Sequence, residues 1–300
     1  MKQTRRLFSR VALVLVGALA LVHNAAQAHA DGHAQGAAER VVSIDGSITE
    51  IVYALGAQDQ LVGVDTTSRF PEAATQLPDV GYMRRLSTEG ILSLNPTLVI
   101  ATQDAGPERV FEQLVDAGVS VQRIHNRYTL NGVLDKIDRV AAVLGKAEQG
   151  KQLQQRIRQQ TDQALSRIPT PTPTVTPPRT LFLLGAGDRG LMAAGQGTQA
   201  AAMMTLVKAE NVVAHPGYKP LSPEGALTLS PEVVLAAHTG AGDHGPSPRL
   251  DQTLAMTPAQ QNQRVHAVDV SLVLGFGPRI ADAVNQLVDL LYPARVADAR

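Results

Sequence analysis

Glu89-Gly90-Ile91-Leu92-Ser93-Leu94-Asn95-Pro96-Thr97-Leu98-Val99-Ile100-Ala101 reads E-G-x-L-x-L-x-P-x-x-V-x-A. The pattern returns 135 residues later as Glu224-Gly225-Ala226-Leu227-Thr228-Leu229-Ser230-Pro231-Glu232-Val233-Val234-Leu235-Ala236. Just upstream, Gly81-Tyr82 is echoed by Gly217-Tyr218 at an offset of 136. A match this long between distant stretches marks an internal duplication. Each copy reads as a short helix that ends near Pro, followed by a buried strand, residues 98–101 or 233–236. The expected body is therefore two similar lobes of one α/β design.

The flanking segments alternate in the same way. Strands are expected at 41–44, 61–64 and 119–124 in the first half, and at 180–184 and 264–268 in the second. Helices are expected at 47–55, 107–117, 198–208 and 280–291. Ser47 stands as N-cap of the first helix with Glu50 three residues on, a capping box, and Gly56 follows its C-terminal end. Alternation of this kind predicts mostly parallel sheets covered on both faces. Lys146 to Ile168 is polar, Gln- and Arg-rich and helix-favouring. It would span roughly 34 Å before Pro169, Pro171, Pro173, Pro177 and Pro178 stop it. The expected organisation is a leader over 1–30, an N-terminal lobe over 31–145, a connecting helix over 146–168, a stiff Pro-rich connector over 169–179 and a C-terminal lobe over 180–300. One helical strut between two lobes leaves a ligand cleft where they face each other.

The leader has a basic start, Lys2 to Arg10, then the apolar run Val11 to Val22, then Ala26-Gln27-Ala28 and Ala28-His29-Ala30. This is the layout of a secretory signal cleaved after Ala28 or Ala30. The apolar run is shorter than the roughly 20 residues a membrane span needs. Thr4-Arg5-Arg6-Leu7-Phe8 also resembles a twin-arginine signal. The 300 residues include no Cys, so disulfides, thiolate metal sites and a lipid-anchored Cys are excluded. The formal net charge is zero, but the leader carries four basic residues and no acid. The remainder has 23 basic and 27 acidic residues, a net charge of −4 that argues against nucleic acid as the partner.

Three motifs carry a specific resemblance: Gly81-Tyr82-Met83-Arg84-Arg85-Leu86-Ser87-Thr88-Glu89-Gly90, Gly217-Tyr218-Lys219-Pro220-Leu221 and Leu274-Gly275-Phe276-Gly277-Pro278-Arg279. With the duplication, the connecting helix and the leader, the chain resembles periplasmic haem-binding proteins of ABC haem importers, in the helix-backbone class of substrate-binding proteins. The two-lobe pattern alone also fits vitamin B12 and siderophore binders. The resemblance implies ferric haem b as a transported ligand, a periplasmic location, and a permease in the inner membrane as partner. An outer-membrane haem receptor system upstream belongs to the same picture.

The resemblance also implies site residues. Tyr82 takes the place of the axial iron ligand and Arg84 that of the basic residue supporting it. Ferric iron is a hard Lewis acid and phenolate a hard oxygen donor, and iron and a guanidinium both favour the charged phenol. Arg84, Arg85 and Arg69 are candidates for the haem propionates, which suit bidentate contacts with Arg. Without the motif, Tyr82 reads as a loop tyrosine packed on its own lobe. Pseudo-symmetry brings Tyr218 towards the same cleft, as a stacking or hydrogen-bonding residue, with Lys219 as a further propionate partner. Phe276 is a candidate for the ligand edge or for loop packing. The loop Gly185-Ala186-Gly187-Asp188-Arg189-Gly190 has no His, unlike family members that use one there. That favours five-coordinate iron on Tyr82 alone.

His238, Asp243 and His244 form a loop cluster whose spacing matches no zinc motif, and His125 follows a predicted strand. In the wider class one exposed carboxylate per lobe meets the transporter. Glu50 matches the first position, whereas the second falls near Thr205, with Glu210 close by. A corrinoid or ferric-siderophore binder is the nearest alternative. An exported hydrolase or metalloenzyme is distant, because the chain has no Gly-x-Ser-x-Gly elbow and no His-Glu-x-x-His, so no enzyme activity is expected.

Overall fold

The computed structural model describes residues 39–173, 175–185, 190–238 and 248–293. The leader over 1–30, Arg189, Asp243 and His244 lie outside the described residues. The first half contains β1 (Val41–Ile44), α1 (Gly46–Ala54), β2 (Leu61–Val64), α2 (Thr88–Leu92), β3 (Leu98–Thr102), α3 (Glu108–Asp116), β4 (Ser120–Ile124) and α4 (Leu130–Val143). Its four strands form a parallel sheet in the order β2-β1-β3-β4. The central strands β1 and β3 read VVSI and LVIAT and are buried at every residue. That is the expected character of parallel strands covered on both faces. At the edge, β4 has Ser120 and Gln122 exposed.

The helix α5 (Ala147–Ser166) leads to the second half. There follow β5 (Arg179–Gly185), β6 (Leu191–Ala194), α6 (Gln199–Leu206), β7 (Glu210–Asn211), β8 (Tyr218–Pro220), α7 (Pro223–Leu229), β9 (Val233–His238), α8 (Pro248–Leu254), α9 (Pro258–Gln261), β10 (Val265–Asp269), α10 (Val270–Leu274) and α11 (Ile280–Leu291). The second sheet runs β10-β9-β5-β6-β8, with β7 against β5. Pairing is parallel from β10 through β9 to β5 and antiparallel from β5 through β6 to β8. The fold is thus α/β with mostly parallel pairing, one sheet parallel throughout and the other mixed, as expected.

The duplication holds down to single dihedral angles. Ser87 caps α2 by accepting from the Gly90 amide, and Ser222 caps α7 by accepting from the Gly225 amide. Asn95 and Ser230, again 135 residues apart, both sit at φ 46° where each chain turns into its strand. Non-Gly residues pay for that region unless the surroundings hold them there.

Buried residues of α5 are Gly150, Leu153, Ile157, Thr161 and Ala164. Steps of three and four put them on one stripe of an otherwise polar helix about 30 Å long. The helix packs on both α4 and α11. One apolar cluster consequently runs from Ile48 and Ile137 through Leu153 and Ile157 to Phe182 and Leu287. Each such side chain contributes roughly 1.5–3 kcal/mol by leaving water.

Candidate functional site

A cavity of about 990 Å³ opens at the carboxyl ends of β1, β2, β3, β4 and β10. Ligands of open α/β sheets bind outside the carboxyl ends of the strands, and the volume lies at the upper end for small-molecule sites. Both halves line it: Asp45, Asp104 and Asn126 from the first, Gln199, Asp269 and Leu274 from the second.

Its floor is a lattice of hydroxyls around two carboxylates. Asp45 Oδ1 accepts from the Ser47 amide (2.9 Å) and Ser47 Oγ (2.8 Å), and Oδ2 accepts from Thr102 Oγ1 (2.8 Å). The N-cap of α1 is therefore Asp45, and no capping box forms between Ser47 and Glu50. These bonds hold Asp45 at φ 91°, a conformation costly for a residue with a Cβ. Asp65 accepts from the Asp45 amide (2.9 Å), the Thr67 amide (3.0 Å) and Thr67 Oγ1 (2.8 Å). Burial pushes the Asp65 carboxyl up, and the Thr67 bonds oppose that. Asp79, Asp104 and Asp269 also accept hydrogen bonds from the protein. The lining aspartates are thus committed to holding the fold.

Two contacts join the halves beneath the cavity. Glu50 Oε2 accepts from Arg279 Nε (3.0 Å) and Oε1 from Arg279 Nη2 (2.6 Å), a bidentate pair between residues 229 apart in sequence. Burial raises the Glu50 carboxyl above its ordinary value, against the lowering by Arg279. Lys136 is buried and donates to Ser47 Oγ (2.8 Å), Asn126 Oδ1 (2.6 Å) and the Phe276 carbonyl (3.2 Å). Burial lowers its pKa, and Asp45, Asp104 and Glu50 pull the other way. Glu50 is consequently no exposed docking carboxylate: its side chain is 9% exposed and paired across the halves.

The mouth holds the exposed groups. Gly81 sits at φ 93°, donates its amide to Asp79 Oδ1 (2.7 Å) and accepts at its carbonyl from the Thr66 amide (3.1 Å). This presents Tyr82, 44% exposed, on the cavity wall. Among the described residues the Tyr82 hydroxyl makes no hydrogen bond. Arg84 and Arg69 line the same wall and are exposed.

Four expected site residues lie elsewhere. Arg85 and Lys219 are exposed but do not line the cavity. Tyr218 pairs with Ala194 in the antiparallel part of the second sheet, and its ring packs on the main apolar cluster. Burial raises its phenol, and Thr198, Ala200 and the mouth residue Arg84 oppose that. The pseudo-symmetric partner of Tyr82 has thus become an edge-strand residue. Phe276 is 1% exposed, at φ 46°, with its ring 5.4 Å from that of Tyr128. It is interior packing rather than ligand edge. Neither His125, exposed beside Gln103, nor His238 at the end of β9 lines the cavity.

Sequence reasoning missed Phe70 and Arg279. Phe70 lines the cavity in Ser68-Arg69-Phe70-Pro71 just past β2, and the Arg279 guanidinium lies 4.0 Å over its ring. The available signal was an apolar aromatic inside a polar loop.

Comparison with known proteins gives the family. A family model described as periplasmic binding protein matches residues 41–270. The apo structure of a periplasmic heme-binding protein, RhuT from Roseiflexus sp. RS-1, superposes with a TM-score of 0.76 at 35% identity, covering 86% of this chain and 100% of that one. An uncharacterized ABC transporter substrate-binding lipoprotein, YvrC of Bacillus subtilis (strain 168), is 26% identical over 85% of this chain and 80% of its own. A vitamin B12-binding protein of Yersinia pestis (strain Pestoides F) is 27% identical over 88% of this chain and 90% of its own.

Proposed function

This chain belongs to the periplasmic binding protein family, and from that premise we propose that it carries ferric haem in the interlobe cavity to an ABC-type importer in the inner membrane. As a substrate-binding protein it is not an enzyme. Tyr82 carries the reading: a phenol on the cavity wall, with no hydrogen-bond partner among the described residues. Its oxygen suits ferric iron, and Arg84 lines the same cavity. Arg69 and Arg84 supply charge for two propionates at the mouth.

Among the described residues no helix is long and apolar enough to cross a membrane. We place the chain in the periplasm after cleavage behind Ala28 or Ala30, with an outer-membrane haem receptor system supplying it. The B12-binding relative at 27% identity supports a second reading, a corrinoid ligand.

Hemin titration of the mature chain by absorption spectroscopy, beside Tyr82→Ala and beside cyanocobalamin, decides between them. The haem reading expects a saturable high-spin ferric spectrum that Tyr82→Ala loses or strongly changes. Saturable cyanocobalamin binding without hemin binding would replace haem by a corrinoid.

A further inference from the structure

We propose that Phe70 is the stacking platform for the macrocycle and that Arg279, reaching over from the second half, polarises it from behind. The inference rests on the haem reading and adds a residue to that site.

Phe70 is placed unlike the other described phenylalanines. Phe111, Phe182 and Phe276 are buried, whereas Phe70 is 45% exposed and lines the cavity. Its ring joins none of the three buried apolar clusters. A half-exposed phenyl ring adds little to the fold, and a flat apolar ligand that covered it would recover the lost burial.

One face of the ring is already taken. The guanidinium of Arg279 sits 4.0 Å from the ring centroid, and the two bonds to Glu50 hold it there. A cation over one face draws the ring's negative charge towards itself. The opposite face becomes less negative and better suited to an electron-rich macrocycle in offset stacking. Because Nε and Nη2 of Arg279 are occupied by Glu50, the anions of the ligand fall to the arginines at the mouth. Tyr82 is the other half-exposed aromatic on this wall. One aromatic thus serves the metal and the other serves the plane.

The two roles separate with a probe that has the plane without the metal. Hemin and metal-free protoporphyrin IX are titrated into the parent, Phe70→Ala, Phe70→Leu, Phe70→Trp and Tyr82→Phe. Unchanged circular dichroism, with a thermal midpoint lowered by no more than the loss of the Arg279 contact accounts for, certifies folding. Phe70→Ala and Phe70→Leu should each weaken both ligands by about tenfold, Phe70→Trp should retain binding, and Tyr82→Phe should weaken hemin far more than protoporphyrin. If Phe70→Ala stays within twofold of the parent for both ligands, or Phe70→Leu binds as the parent does, stacking is wrong while the haem reading stands. A parent that binds neither porphyrin overturns both.

Discussion

Replacing Arg279 by Met tests how the two halves are held. The variant keeps the length and apolar stem of the side chain and removes the charge, leaving the Glu50 carboxylate without its two bonds. Removing one partner of a buried pair costs about 3–5 kcal/mol. The low end applies here because the Arg279 side chain is 20% exposed and Glu50, already pushed up by burial, can take a proton once the guanidinium is gone. That escape costs about 1.4 kcal/mol for each unit by which the solution pH exceeds the carboxyl's value. Losing the contact to Phe70 adds about 0.5–1 kcal/mol. We expect about 3.5–4 kcal/mol at pH 7, read from urea denaturation midpoints. In the double variant Glu50→Gln/Arg279→Met no charge is stranded. It should recover at least half of the loss, giving a coupling energy above about 1.5 kcal/mol in the double-mutant cycle. A cost below about 1 kcal/mol with no coupling would mean that the pair behaves as a solvated surface bridge, and the reasoning from burial would fail.

Two further outcomes follow from the same geometry. Glu50 holds its proton more tightly folded than unfolded, so the native state binds more protons than the unfolded chain above pH 4.5; its contribution is full below 4.5 and falls as pH rises to the folded value. Denaturation between pH 4 and 7 should show the parent losing stability relative to Glu50→Gln over that window, and a flat or opposite difference would contradict the sign. Phe276→Ala empties a site that is 1% exposed and in ring contact with Tyr128, and a loss of about 3–5 kcal/mol is expected by calorimetry or denaturant, whereas a loss under 1 kcal/mol would show that the ring is not core.

The strands were legible because buried parallel strands are short continuous apolar runs. Residues 41–44, 61–64 and 280–291 coincide with β1, β2 and α11, and residues 146–168 with α5 to within two residues at each end. The antiparallel extension was hidden. Leu191–Ala194 is short, and Tyr218–Pro220 sits in a Gly-Tyr-Lys-Pro stretch that reads as a turn. That same extension sets Tyr218 in an edge strand, whereas its counterpart Tyr82 is borne on a loop. The cap of α1 was assigned two residues too far along because local pattern favours Ser47, while Asp45 wins through Thr102 and Asp65, neither local. The Glu50–Arg279 pair and the Phe70–Arg279 contact span 229 and 209 residues, and periodicity carries no information at that distance.

The stripe on α5 bears on how the duplicated chain can change over generations. Two copies of one unit start out as spare parts, each free to drift while the other serves. Once Leu153, Ile157 and Ala164 knit both copies into a single interior, deletion of either would strip the apolar surface of its neighbour. The halves are then bound to a common fate, and a graft that exchanged one of them for a relative's would have to bring its side of the strut along.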